Sequence, residues 1–150
     1  MYKKILVPHD GSELSDEAAD HAIGLARAVK SKLTLLHVVA HRHVVLDEGV
    51  SSKLVQNLER DYEAAAKKNA EERIAKVTAR AKKGGVESVS KVVVADDPYK
   101  EIIDQARSLG CDLIVMASHG RRGLEGLLLG SETVKVLTHS RIPVLVVRHR

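Results

Sequence analysis

The sequence predicts an α/β protein with one open, five-stranded, mostly parallel sheet of the Rossmann-like type, covered by helices on both faces. Short apolar runs suited to buried strands alternate along the chain with longer segments of helical periodicity. The chain has no Phe and no Trp, so its core must consist of Val, Leu, Ile and Ala, as in parallel sheets covered by Ala-rich helices. Its 150 residues fit a single domain, residues 1–150.

The first half of the chain contains two predicted strands and two predicted helices. Pro8 ends the first apolar run, and Ser12 or Ser15 is expected to cap the helix that follows. In the second, long amphipathic helix, the apolar stripe is expected to begin with Leu54, Leu58 and Tyr62 and to finish with Ile74, Val77 and Ala81. The predicted strands are residues 5–7 and 33–39, the predicted helices are residues 12–29 and 52–83, and Gly84-Gly85 ends the second helix.

The second half of the chain continues the same alternation. Asp97-Pro98 places a capping residue before a proline at the first helical position, which is a strong start signal, and Gly110 ends that helix. The predicted strands here are residues 89–94, 113–116 and 143–147, and a last helix is expected over residues 132–138. Strands that alternate with helices imply right-handed crossovers and parallel pairing.

Composition argues against several classes of protein. The formal charge is +4, but bases alternate with acids along residues 57–83 as on a solvated helix face, and aromatic residues make up only 2%. We therefore expect no nucleic-acid partner. The single cysteine, Cys111, suits a reducing compartment, Pro8 and Asp10 close the first apolar run too early for a signal peptide, and no run is long enough to span a membrane. A cytoplasmic location without membrane association is expected.

A ligand site is predicted at the carboxyl ends of the strands. In parallel sheets ligands bind beyond these ends, where the strand order switches. Asp10, Val38 and the loop after Met116 all lie at strand ends on that side, so they can converge on one ligand. The loop contains His119-Gly120, nine further residues and then Gly130-Ser131 at the start of a helix, where backbone N–H groups can receive a phosphate. Residues 127–129, a leucine run, are expected to pack this loop against the body of the protein.

These segments resemble the universal stress protein family along nearly the whole chain. The matching pieces are residues 4–12 (KILVPHDGS), 35–38 (LLHV), 112–120 (DLIVMASHG), 128–131 (LLGS) and 142–148 (IPVLVVR). Each piece alone is weak, and together they are specific. The resemblance implies the fold of adenine nucleotide alpha hydrolase-like proteins and a homodimer in which Val144 to Val147 pairs with its counterpart, which would also protect an apolar edge strand.

The ATP-binding branch of that family carries Gly-x-x-Gly, nine residues and then Gly-Ser or Gly-Thr. The resemblance implies that ATP is the cofactor, with Gly120, Gly130 and Ser131 at its phosphates and ribose and with Asp10 and the Val38 backbone at its adenosine. Glu132 and Thr133 would contribute backbone amides beneath the phosphates. Pro8, Met116, Ala117 and His119 complete the predicted site, and whether Mg²⁺ accompanies the phosphates stays open because one plausible carboxylate is available.

Two residues depart from the family pattern. Ala117 stands where the first glycine belongs: if that glycine serves close approach the alanine is tolerated, and if it needs positive φ the alanine costs about 1 kcal/mol or more. His9 stands where a small or hydroxylated residue is expected, and its imidazole can point into the site.

Several candidate residues have a plainer interpretation beside the functional one. Asp10 can bind a ligand or only its own turn, and Arg121 and Arg122 can clamp phosphates or only be solvated. His119 is expected to support the loop by hydrogen bonding, and Cys111 to be a small packed thiol. The pair His41-x-His43 lacks further metal ligands, so no metal site is predicted there.

Three functional hypotheses follow. The leading one is a cytoplasmic, ATP-binding stress-response protein without enzymatic activity, in which ordering of the loop from Gly120 to Gly130 signals to an unknown protein partner. The second is a dimeric interaction protein of the same family that binds no nucleotide. The third is a nucleotide-cleaving enzyme, for which Asp10 and His119 are the available candidate groups.

Overall fold

The computed structural model describes residues 1–43, 49, 51–120 and 128–149. The described part of the chain contains the predicted five-stranded parallel sheet, and its strand order is β3-β2-β1-β4-β5. The strands are β1 (Lys4–Pro8), β2 (Lys32–Ala40), β3 (Ser88–Ala95), β4 (Leu113–Ala117) and β5 (Val144–Val147), and the helices are α1 (Glu13–Val29), α2 (Ser52–Lys83), α3 (Pro98–Ser108) and α4 (Ser131–His139).

Two aliphatic layers hold the helices on the sheet. On one face, Ile5, Val7 and Leu35 pack against the alanine-rich side of α1 and the second half of α2. On the other face, Leu6 and Leu36 pack with residues of α3 and α4, including Ile102, Ile103 and Val136. Strands buried on both faces explain the continuous apolar runs in the sequence.

Local signals placed most helix ends correctly. Ser12 caps α1, and its hydroxyl accepts the Ser15 N–H at 3.1 Å. At the end of α2, Gly85 has the left-handed φ of 76° that was expected of the glycine pair. Pro98 is the first residue of α3, but the side chain of Asp97 makes no capping hydrogen bond.

The prediction of an apolar, core-facing stripe at the start of α2 was wrong. Leu54, Leu58 and Tyr62 are 51%, 49% and 46% exposed. The helix has 32 residues and so is about 48 Å long, whereas the adjacent β3 has 8 residues and spans about 26 Å. The first half of α2 therefore extends past the sheet, and the buried residues of α2 begin at Ala70.

Candidate functional site

The switch in strand order lies between β1 and β4, and a cavity of about 490 Å³ opens at their carboxyl ends. The cavity is lined by apolar residues of β2, α3 and β4 and by polar residues of the turn after β1 and the start of α4. All of the residues predicted for the site line this one cavity: Pro8, Asp10, Val38, Met116, Ala117, His119, Gly120, Gly130, Ser131, Glu132 and Thr133.

Asp10 is built into the tight turn between β1 and α1. Its Oδ1 accepts the Ser12 N–H at 2.9 Å, and Gly11 takes the left-handed φ of 82° that the turn requires. The same carboxylate lines the cavity and lies against Gly120. The turn role and the position at the cavity, weighed as alternatives in the sequence, thus coexist in one side chain.

The buried His9 side chain stabilises this turn by hydrogen bonding, and His9 also lines the cavity. Its ring is 4% exposed; Nδ1 accepts the Gly11 N–H at 3.2 Å, and Nε2 lies 3.3 Å from Asp16 Oδ1. Asp16 is in turn bound by Arg80 of α2 at 2.9 Å. Partial burial opposes ionisation of Asp16, but the contacts of Arg80 and His9 outweigh it and lower the pKa of this carboxyl.

Val38 directs backbone groups at the cavity because β1 ends early. The register of β1 with β2 runs as far as Pro8 opposite Leu36, and the His9 N–H donates to the Leu36 carbonyl at 2.8 Å. Successive residues of a strand turn their backbone groups to opposite neighbours, so Val38, two residues after Leu36, turns its N–H and C=O to the same side as the Leu36 carbonyl. Beyond Pro8 no described strand pairs with them there, which leaves this donor and acceptor facing the cavity.

The backbone conformation at Ala117, where the loop after β4 begins, does not require glycine. Ala117 is the last residue of β4, opposite Val147, and is 8% exposed. Lys30 is the one non-glycine residue with positive φ among the described residues, so Ala117 has ordinary strand geometry. The backbone conformation at this position therefore accepts alanine without strain.

Two glycines allow close packing where the loop after β4 and the start of α4 border the cavity. A Cβ on Gly120 would overlap the Asp10 carboxylate, and a Cβ on Gly130 would lie 3.0 Å from His119 Cα. The Gly130 N–H donates to the Ser118 carbonyl at 2.8 Å, which fixes the start of α4 against the end of β4. His119 Nδ1 lies 3.2 Å from Ser118 Oγ, a contact of the loop-supporting kind predicted for it.

The first turn of α4 presents its amides at the cavity. The first hydrogen bond within this helix joins the Val134 N–H to the Gly130 carbonyl at 3.0 Å, so the N–H groups of Ser131, Glu132 and Thr133 have no partner inside the helix. The buried Thr133 hydroxyl donates to the Ala117 carbonyl at 3.0 Å and ties this turn to β4. Such a turn, with the positive end of the helix dipole, is suited to an anion.

The Glu132 side chain makes contacts that the sequence did not reveal. Its Oε2 accepts the Tyr99 N–H of α3 at 2.8 Å, and its Oε1 lies 3.1 Å from Lys135 Nζ. Its carboxylate raises the pKa of Lys135, so this lysine stays protonated at neutral pH. Glu132 thereby joins the beginnings of α3 and α4.

Sequence reasoning missed part of the cavity wall. Leu36, Val38 and Ala40 lie on one face of β2 by strand alternation, so the predicted Val38 was a signal for the other two. Pro98 follows β3 at its carboxyl end, which is the general position for ligand contacts. The unpredicted lining residues are Ser15, Leu36, Ala40, Pro98 and Ile102.

The other candidates have structural surroundings of their own. His41 contacts Glu63, His43 contacts Asp96 at 3.2 Å, and no group of three potential metal ligands occurs among the described residues. Cys111 is buried, which raises the pKa of its thiol, as expected of a packed cysteine. Arg121, Arg122 and Leu127 lie outside the described residues, and Leu128 is 84% exposed, so the expected packing of the leucine run is wrong for Leu128.

Within the described ranges, no helix combines the length and apolar character that a membrane span requires. The fold and the cavity together define an open parallel α/β protein with a cavity at the switch point of its sheet, the general position of ligand sites in this class.

The chain belongs to the universal stress protein family, whose family model matches residues 1–148. It is 36% identical to universal stress protein MJ0531 of Methanocaldococcus jannaschii, over 99% of this chain and 83% of that protein. The solved structure of MJ0577 from the same organism superposes with a TM-score of 0.84 at 32% identity and covers 100% of this chain and 98% of that one. A universal stress protein solved in complex with cAMP has a TM-score of 0.64 at 25% identity, with 98% and 97% of the two chains covered.

Proposed function

We propose that this protein binds an adenine nucleotide, ATP in the first instance, in the cavity between β1 and β4, and that it acts in the stress response through the nucleotide-bound state. The observation that carries the proposal is that the Val38 backbone and the first turn of α4, whose amides have no partner inside the helix, line one cavity. The amides suit phosphate, while an N–H beside a C=O suits the edge of a purine base.

The cavity walls have the chemistry that such a ligand needs. Leu36, Ile102 and Met116 offer apolar surface to a base, and Asp10 offers a carboxylate to ribose hydroxyls. The absence of a Cβ at Gly120 and Gly130 lets these glycines pack closely against Asp10 and His119, which also line the cavity. The related protein that was solved with cAMP supports the same class of ligand. Mg²⁺, if it accompanies ATP, would be held mostly by phosphate and water, with Asp10 as the candidate carboxylate ligand.

Calorimetric titration of nucleotide-stripped protein with ATP, with and without Mg²⁺, tests this proposal. Gly130→Ala should weaken binding at least about ten-fold, because its Cβ presses on His119 and displaces the start of α4. Gly84→Ala is the matched control, since its φ of −77° suits alanine and its Cβ would meet no atom closer than 3.4 Å. Micromolar binding by the wild type and the control is expected, and absence of binding by folded wild-type protein would overturn the proposal.

The competing hypothesis is a family member that binds no nucleotide, with Ala117 as the mark of a lost site. The ordinary φ of Ala117 favours the binding hypothesis, because a glycine there is not required by the backbone. Ala117→Gly should therefore change ATP affinity by less than about three-fold. Binding that appears only after this substitution would favour the competing hypothesis.

We propose further that the nucleotide is bound without dedicated turnover. Asp10 Oδ1 is engaged by the Ser12 N–H, and His119 Nδ1 by Ser118 Oγ, so both candidate groups already serve the turn and the loop. Any hydrolysis should be slow. Sustained ATP turnover that Asp10→Ala or His119→Ala abolishes would contradict this.

A homodimer through β5 is the assembly we propose. β5 is an edge strand, and Leu145 on it is 37% exposed. On one side of the edge α4 exposes Val134 and Leu137, and on the other lies a groove of about 510 Å³ lined by Asp20, His21, Gly24, Leu25, Val115 and Leu145. A second copy that pairs along β5 would cover both surfaces. Leu145→Asp should convert a dimer to a monomer in light scattering; a monomeric wild type would refute this.

The cellular setting follows as a proposal from the same chain. The buried free thiol of Cys111 fits the reducing cytoplasm. The loop whose ordering is expected to signal to a protein partner lies between Gly120 and Gly130, and its residues 121–127 lie outside the described residues.

A further inference from the structure

We propose that Glu132 sets the charge preference of the cavity, so that each added phosphate of an adenine nucleotide gains less affinity than the open α4 amides would otherwise provide. This inference rests on the proposed nucleotide binding. Glu132 is the second residue of α4, and its own N–H is one of the amides offered to a phosphate. A fixed negative charge therefore stands on the turn that would bind an anion.

The carboxylate of Glu132 also occupies the start of a second helix. The Asp97 side chain does not cap α3, and Glu132 supplies the missing acceptor across the interface by binding the Tyr99 N–H at 2.8 Å. Pro98, next to that amide, lines the same cavity as Glu132. Two helices thus begin at this wall, but the Tyr99 amide of α3 is already bound to an anionic side chain.

The start of α3 would attract a chain of phosphates if its amides were free. Because the Glu132 carboxylate lies there, phosphates that extend along this wall would be repelled instead. The effect is graded because Lys135 Nζ lies 3.1 Å from Glu132 Oε1 and compensates part of the charge. The Lys135 side chain is 47% exposed, and its Nζ also lies 5.3 Å from the Tyr99 ring centroid. Glu132 and Lys135 should therefore act on polyphosphates with opposite signs.

The test compares Glu132→Gln with the wild type on adenosine, AMP, ADP and ATP, by calorimetry without divalent cations at fixed low ionic strength. Glutamine keeps an oxygen that can accept the Tyr99 N–H, so the substitution removes the charge and retains the cap. Two extra phosphate charges within about one Debye length of the carboxylate correspond to an effect on the order of five-fold. The affinity for ATP relative to AMP should rise by about that factor, with adenosine unchanged, and the difference should shrink at high salt.

Lys135→Gln provides the opposite change, since it leaves the carboxylate uncompensated and should lower the affinity for ATP relative to AMP. The matched controls are Glu87→Gln and Lys32→Gln, a surface pair 2.8 Å apart at the amino ends of β2 and β3. These controls alter the net charge equally, far from the cavity, and should keep the wild-type ratio.

The outcomes separate the two proposals. If AMP and ATP bind and their ratio stays within two-fold in both cavity variants, Glu132 does not set the charge preference. If the wild type binds none of the four ligands, the proposed function itself fails. Should Glu132→Gln lower the melting temperature too far for titration, Lys135→Gln alone decides, because a ratio that does not fall overturns the inference.

Discussion

Gly120 lies so close to Asp10 that a Cβ built on the glycine would overlap the Oδ2 atom of the aspartate. These residues are 110 positions apart in the chain, one after β1 and the other after β4. Their contact closes the switch point of the sheet, and the Asp10 carboxylate is held there from its other oxygen by the Ser12 N–H.

Gly120→Ala should therefore displace the Asp10 carboxylate and weaken adenosine binding about ten-fold, while the protein remains folded. The stability cost is expected to be about 1 kcal/mol or less, because the atom in the way belongs to a side chain rather than to the backbone. Calorimetry with adenosine and urea denaturation measure the two effects. Unchanged adenosine affinity would show that the Asp10 position is not set by this contact.

Thr133→Val should destabilise the protein by about 1–2 kcal/mol, because it removes the buried hydroxyl that donates to the Ala117 carbonyl. The matched control is Thr78→Val in α2. The Thr78 hydroxyl donates to the Ile74 carbonyl of its own helix, and that carbonyl keeps its helical partner after the substitution. Equal losses for the two variants, in urea denaturation, would deny Thr133 a special role in joining α4 to β4.

The free energy of unfolding should decrease as the pH falls below about 6.5, because the partly buried His37 takes up a proton less readily in the folded protein than in the unfolded chain. Burial lowers the pKa of this imidazole from its ordinary 6.5, His9 and Arg73 add to the effect while Asp10 opposes it, and Nδ1 has no hydrogen-bond partner among the described residues. The unfolded chain therefore binds the proton first, so stability is present above pH 6.5 and is lost as the pH falls below it.

His37→Gln is the variant that isolates this effect. The difference in unfolding free energy between wild type and variant, measured in urea at pH 8.0, 7.0, 6.0 and 5.5, should move in favour of the variant as the pH falls. A difference that stays constant across this series would mean that His37 titrates alike in the folded and unfolded chains.

Asp112 should contribute stability that acid removes. Partial burial opposes its ionisation, but hydrogen bonds from the backbone N–H groups of Lys3, at 2.8 Å, and Lys4, at 3.0 Å, prevail and lower its pKa below the ordinary 3.8. This contribution is present above pH 3.8 and is lost as the pH falls through the lower folded-state value.

Asp112→Asn should accordingly cost about 1 kcal/mol at pH 7, a value discounted for exposure, and the cost should diminish below pH 4. Asp104→Asn on the surface of α3 controls for the loss of a carboxylate. Denaturation at pH 7, 5 and 3.5 gives the comparison, and a cost that is the same at all three values would refute the assignment.

The sequence by itself determined the order of strands and helices and the side of the sheet that carries the site. Apolar runs, the proline at Pro98 and the glycine at Gly85 act through local backbone geometry, so their consequences can be read without the fold. The predicted site residues lie around one cavity because they belong to the carboxyl ends of strands or to the segments that come after them, and parallel strands end on the same side.

The tertiary structure alone decided how these pieces act on one another. It brought Gly120 against Asp10, turned the Val38 backbone toward the cavity where β1 ends, and made Glu132 of α4 the cap of α3. It also left Leu54 and its neighbours exposed, because α2 is longer than the strand beside it. Such contacts join residues far apart in sequence, and their strength depends on lengths and angles between elements, which periodicity and local propensity do not encode.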